Sequence, residues 1–181
     1  MSARLFAALD LPAGVRDQLG AYGRAAAADD FALRPVRDDA LHVTLAFLGH
    51  RALDDIEPAR EAIRAAAGPV NAVPLALGAA LWLSPRRPHV LTIELEDPTG
   101  ALARLQAGVT EALVDAVGYA PERRRFRPHV TVARVRHGAT PRRSGLPDAP
   151  SAAFAGEAVT LYRSHLGGGP ARYEALERVD L

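Results

Sequence analysis

Two short segments carry residue types that could do chemistry together. His42-Val43-Thr44 lies within the run from Leu41 to Gly49, and His129-Val130-Thr131 within the run from Pro128 to Arg134. Both runs are apolar and rich in β-branched residues, the composition of a buried strand. Successive side chains on a strand point to opposite faces, so the imidazole and the hydroxyl of each motif share one face, roughly 6.5 Å apart. Val43 and Val130 then face a core. Two such strands side by side would set two imidazoles and two hydroxyls around one small anion. An imidazole near neutral pKa can give or take a proton at cellular pH, which makes such a pair an acid and a base. The alternative is two ordinary core histidines, each satisfied by a neighbour. The recurrence of the pattern in two similar strands favours a shared site.

The surrounding charge agrees with an anionic substrate. Net charge is only +1, so the chain as a whole is no polyanion sponge. Between Pro121 and Arg143, however, eight arginines (123, 124, 125, 127, 134, 136, 142 and 143) face one acid, Glu122. All 22 basic residues are Arg, which reads as coding bias, but bias does not choose positions. Such a cluster is either a solvated basic loop or a phosphate-attracting surface, and its place around the second motif favours the latter. With no cysteine, disulfides and thiolate metal sites are excluded. Two His and two Thr make a poor metal set, and His50, His89, His137 and His165 have no ligand spacing. No metal and no cofactor are expected.

The elements that must position these residues read as β-α-β-α-β-β-α-β-β-β. Strands are expected at Arg4 to Leu9, around each motif, at Val73 to Leu83, Val90 to Glu96, Ala155 to Leu166 and Arg172 to Val179. Helices are expected at Pro12 to Ala28, Leu53 to Ala67 and Gly100 to Val117, the last with Leu102, Leu105, Val109 and Leu113 as its apolar stripe. Residues 84 to 88 read as a hairpin-like loop, Gly167 to Pro170 as the final turn, and His137 to Pro150 as the best candidate for a mobile segment. The motifs stand 87 residues apart, about half the chain, which suggests a pseudo-repeat. A length of 181 residues fits one domain or two small lobes sharing a core. The short apolar start fits a first strand better than a leader or a membrane span, so a cytoplasmic, membrane-free protein is the default. A monomer is expected.

With both motifs, the opening Arg4 to Pro12, Glu122 to Arg134 and the segment Leu161 to Tyr173, the chain resembles the 2H phosphoesterase superfamily. Within it, the chain is similar to the RNA 2′,3′-cyclic phosphodiesterases, also called 2′-5′ RNA ligases. The resemblance implies a bilobal α+β fold with pseudo-two-fold symmetry, in which two antiparallel sheets with outer helices line a central cleft. It implies metal-independent opening of RNA 2′,3′-cyclic phosphate ends to 2′-phosphate ends, with 2′-5′ joining as the reverse-type reaction. His42 is then the proton donor to the leaving oxygen and His129 the proton acceptor, while Thr44 and Thr131 donate to the non-bridging oxygens. The family carries an arginine at Arg134. Strict alternation from Thr131 would aim it away from the site, so contact with substrate needs a bulge or a strand end to re-aim it. Phe47 is likewise one residue off the His42/Thr44 face. Alternation puts it in the core, and base stacking is the competing role. Trp82 and Tyr162 are read as core. Other readings are a 2H enzyme acting on a small cyclic nucleotide or an ADP-ribose cyclic phosphate, a non-catalytic RNA-binding module, and a structural protein.

Overall fold

The computed structural model describes residues 1–84, 86–165 and 171–181. In chain order the elements are β1 (Ser2–Asp10), α1 (Ala13–Asp29), β2 (Leu33–Pro35), β3 (Val43–Ala52), α2 (Ile56–Ala67), β4 (Val73–Leu83), β5 (Val90–Glu96), α3 (Ala101–Val117), β6 (His129–Val135), β7 (Ala153–Gly156), β8 (Ala158–His165) and β9 (Arg172–Asp180). The fold is α+β. Among the described residues nine strands form one curled antiparallel sheet in the order β7-β4-β5-β6-β3-β1-β8-β9, with β2 pairing the free part of β6.

The two expected sheets are therefore two four-stranded halves joined at a seam between β6 and β3. A single residue pair, Val43 with Val130, makes that join. About the seam the halves correspond strand for strand: β3 with β6, β1 with β5, β8 with β4, β9 with β7. The correspondence does not follow chain halves. One half of the sheet is built from both ends of the chain and the other from its middle.

The helices follow from apolar spacing. Val15, Leu19, Tyr22 and Ala26 of α1 are buried and recur every three to four residues, a single stripe. That stripe packs on β2 and β6. The contact is close: a Cβ at Gly23 would lie 2.5 Å from the Val132 carbonyl oxygen, so only glycine lets the helix reach β6 there. Helix α2 packs on β8 and β9. Helix α3 packs on α2, β3 and β4, burying the expected Leu102, Leu105, Val109 and Leu113, and Gly118 ends it at φ 60°. Asp54 and Asp55 belong to a 3₁₀ turn (Leu53–Asp55) ahead of α2, not to the helix itself.

Strand β2 was not expected. Three residues bounded by Pro35 carry no periodic signal, and the pairing partner is a hundred residues away. The expected strand from Ala155 divides at Glu157, whose amide leaves the ladder to donate to the Asp10 carbonyl. The segment after His137, expected as the best candidate for a mobile segment, is hydrogen-bonded to the rest of the fold at two points. The Arg142 amide donates to Asp30 Oδ2 at 2.6 Å, and the Arg143 guanidinium to the Arg86 carbonyl at 3.1 Å. The expected turn at Gly167 to Pro170, and Pro85 within the expected loop at 84 to 88, lie outside the described residues.

Candidate active site

The site follows from the seam. Val43 and Val130 are the middle residues of the two motifs, and both are fully buried. In an antiparallel register their pairing sets His42 across from Thr131 and Thr44 across from His129. All four side chains line one cavity of about 500 Å³. The two predicted His-Thr faces are thus brought together at one cavity.

Each histidine is oriented in the same way. The carbonyl two residues earlier accepts the Nδ1 proton: Ala40 for His42 at 2.9 Å, Arg127 for His129 at 2.7 Å. Because a carbonyl only accepts, this fixes the tautomer and leaves Nε2 as the working nitrogen. For His42, Nε2 lies 3.2 Å from Thr44 Oγ1.

Strict alternation fails at both motifs, one residue past each threonine. In the β3/β1 ladder Thr44 pairs Ala8 but Ala46 pairs Ala7, leaving Leu45 as an extra residue. In the β6/β5 ladder Thr131 pairs Thr92 but Ala133 pairs Leu91, leaving Val132 extra. Each bulge shifts the parity of the residues beyond it. Arg134 now opposes Val90, which shares a face with Thr92 and Glu94, so Arg134 points with His129 and Thr131 and lines the cavity. Phe47 now opposes Phe6, which shares a face with Ala8, so it points with Thr44. Phe47 is 40 % exposed and lines the cavity, which corrects the core placement by alternation. Phe47 and Arg134 are equivalent positions, each three residues after its threonine.

Several lining residues carry no local motif. Arg4 and Phe6 share the cleft face of β1, and the Arg4 guanidinium lies 4.7 Å from the Phe47 ring centre. Arg34 pairs Arg134 across β2/β6 and also lines the cavity, with Arg37 nearby. Alternation along β1 could have flagged Arg4 with Phe6. Nothing local could have flagged Arg34, because its position depends on the pairing of β2. Arg4, Arg34 and Arg134 have no carboxylate partner among the described residues, so their charge is available to an anion. Elsewhere in the basic cluster, Arg127 is bound to Glu94 at 2.8 Å.

The two histidines differ in surroundings. His42 sits against Phe6, Tyr173 and Tyr162, with ring centres 4.9, 5.4 and 6.5 Å away. Burial pushes its pKa down to about 4; the Ala40 carbonyl and the nearby Asp10 charge oppose this, and Arg134 and His129 add to it. His129 stands at the open side with its Nδ1 held only by the backbone. Behind His42, Asp10 accepts from Tyr162 Oη at 2.8 Å, Thr160 Oγ1 at 2.7 Å and Arg178 at 2.7 Å. Burial and the Asp10 charge raise the Tyr162 pKa, so the phenol stays a donor. Tyr162 is thus a buttress behind the site. Trp82 packs on the core away from it. His165 lines the cavity rim and pairs with Glu174 at 2.8 Å. Among the described residues no three His, Asp or Glu side chains are grouped to hold a metal ion, and no helix is long and apolar enough to cross a membrane.

Residues 16–168 match the model of the 2′-5′ RNA ligase superfamily. The chain belongs to that family. It is 32 % identical to the RNA 2′,3′-cyclic phosphodiesterase of Escherichia coli K12 over 97 % of this chain and 94 % of the relative. Among solved structures, Escherichia coli LigT complexed with 3′-AMP superposes with a TM-score of 0.73 at 30 % identity, covering 100 % of this chain and 99 % of that one. TT0787 of Thermus thermophilus superposes with a TM-score of 0.79 at 25 % identity, covering 98 % and 97 %. The superfamily resemblance read from the motifs holds over the whole chain, and the protein is an enzyme of this phosphodiesterase family.

Proposed function

We propose that this phosphodiesterase opens 2′,3′-cyclic phosphate ends of RNA to 2′-phosphate ends, with His42 and His129 as the acid–base pair. The observation that carries the reading is the Val43–Val130 pairing, which faces both His-Thr pairs into one cavity rimmed by uncompensated arginines. A cyclic phosphate is a strained diester, so water needs only orientation and removal of a proton. His129 Nε2, on the open side, takes that proton as water attacks phosphorus. The 3′ oxygen leaves opposite and receives the proton of His42 Nε2. Thr44 and Thr131 donate to the non-bridging oxygens, where charge builds in the transition state. Arg134 and Arg34 supply the field.

The low pKa of His42 gives this assignment a specific requirement. With a pKa of about 4, His42 is neutral at cellular pH. A docking phosphate anion beside Nε2 favours the imidazolium, so the acid is charged by its own substrate. The Phe47 ring with Arg4 above it offers the terminal base a stacking face. A 5′-hydroxyl in place of water gives 2′-5′ joining by the same proton transfers.

The test is a short RNA ending in a 2′,3′-cyclic phosphate, incubated with wild type, His42→Ala and His129→Ala, each with excess chelator. A 2′-phosphate formed by wild type alone, with both variants folded, supports the pair. Loss of turnover on chelation means that a metal takes part. No turnover by folded wild type overturns the proposal.

A further inference from the structure

A second aromatic platform stands outside the cavity. Phe31 is 87 % exposed, the most exposed aromatic ring among the described residues. A single exposed ring is ordinary on a protein surface, so what matters here is how this one is held and what stands beside it. It is not a loose side chain on a loose turn. Asp30 accepts from the Ala32 amide at 2.9 Å and from the Arg142 amide at 2.6 Å, tying the turn to the segment after β6. The Arg136 amide donates to the Ala32 carbonyl at 2.8 Å, and its Nε to the Phe31 carbonyl at 3.0 Å. The Arg136 guanidinium then lies 5.3 Å from the Phe31 ring centre.

This repeats the arrangement inside the cleft, where Arg4 covers Phe47. The two Arg–Phe pairs are linked by a row of charge. Arg34 opposes Arg134 in the β2/β6 ladder, and Arg136 stands just past the end of β6, two residues after Arg134, with its amide bonded to the Ala32 carbonyl ahead of β2. Arg34, Arg134 and Arg136 all lack a carboxylate partner among the described residues. An exposed ring next to a row of guanidiniums that no carboxylate neutralises is the composition of a single-stranded nucleic-acid track, in which bases stack and phosphates pair.

We propose that Phe31 and Arg136 form a subsite for the nucleotides 5′ of the reacting end, reached from the cleft along Arg34 and Arg134. The inference rests on the reading of the cleft as an RNA-end site. It adds that the enzyme grips a strand and not merely a terminal nucleotide. A reacting 3′ end fills the cavity beside Phe47, so the rest of the strand must leave it, and this flank supplies both charge and a stacking face.

The test is binding of a 5′-labelled octaribonucleotide with a 2′-phosphate end, read by fluorescence anisotropy, beside competition by a nucleoside 2′-phosphate. Phe31→Ala is expected to weaken octamer binding about ten-fold, the usual size of one stacking contact. Phe31→Trp restores it, and Arg136→Ala lowers the salt slope by about one. The mononucleotide is unaffected by all three. Equal loss for octamer and mononucleotide, no effect of Phe31→Ala on the octamer, or a wild type that binds both equally would each overturn the subsite. A wild type that binds the octamer through Phe31 yet opens no cyclic phosphate would sink the catalytic reading and leave the subsite standing.

Discussion

Val43 and Val130 are paired across the seam of the sheet, and theirs is the one residue pair that joins β3 to β6. Because each is the middle residue of a His-x-Thr motif, the fold brings its two halves together where its two catalytic candidates flank the join. Removal of either imidazole is expected to lower turnover by about 10²-fold or more while leaving a folded protein, since neither ring fills the buried side of the seam. Circular dichroism with single-turnover assays of His42→Ala and His129→Ala checks this. Unfolding of both variants would return the histidines to a structural role.

Thr44 and Thr131 are equivalent about the seam, and each is one residue from a bulge. If both donate to phosphate oxygens, Thr44→Ala and Thr131→Ala each lower kcat by about 10²-fold, whereas Thr→Ser restores most of it because the hydroxyl is kept. Matching kcat and KM for the four variants separates this from loss of packing, which serine would not repair.

The pKa of His42 makes a prediction with a definite sign. It lies at about 4 in the fold against 6.5 ordinarily, so between those values the unfolded chain binds the proton more readily. Stability therefore falls as pH drops from about 6.5 toward 4, by up to about 3 kcal/mol. His42→Gln lacks this part of the acid loss. Denaturant midpoints across that range check it. NMR titration should find the His42 pKa rising when inorganic phosphate binds, and an unmoved pKa would leave His42 without a proton to give.

Asp10 acts on His42 through space, and it holds Tyr162, whose ring centre stands 6.5 Å from that of His42. Its charge opposes the burial that depresses the His42 pKa. Asp10→Asn is expected to lower that pKa further and move the alkaline limb of the pH–rate profile, where the acid loses its proton, to lower pH. A drop in rate with no change of profile would mean that Asp10 only holds the strands together.

Gly23 decides whether the β6 bulge survives. A methyl there would meet the Val132 carbonyl at 2.5 Å, and Val132 is the extra residue that re-aims Arg134. Gly23→Ala should cost roughly 1–3 kcal/mol and weaken substrate binding in the manner of Arg134→Ala. Gly108→Ala, in α3 with nothing within 4 Å, should be neutral or stabilise by up to about 1 kcal/mol. Thermal melts and KM values for the three variants test the pairing of effects.

The sequence by itself determined what local pattern can carry. Apolar spacing located α1, α2 and α3, β-branched runs located most of the strands, and the two His-x-Thr segments named the four side chains at the centre of the site. Tertiary structure decided what depends on partners. Register is a property of two strands, so the pairing of Val43 with Val130 could not be read from either motif. A bulge is a mismatch between neighbours, so only the ladders with β1 and β5 could turn Phe47 and Arg134 onto the face that alternation denied them. Strand β2, and with it Arg34 at the rim and Phe31 on the flank, exists because β6 has a free edge to pair. The depressed pKa of His42 likewise belongs to the rings of Phe6, Tyr162 and Tyr173, which come from opposite ends of the chain.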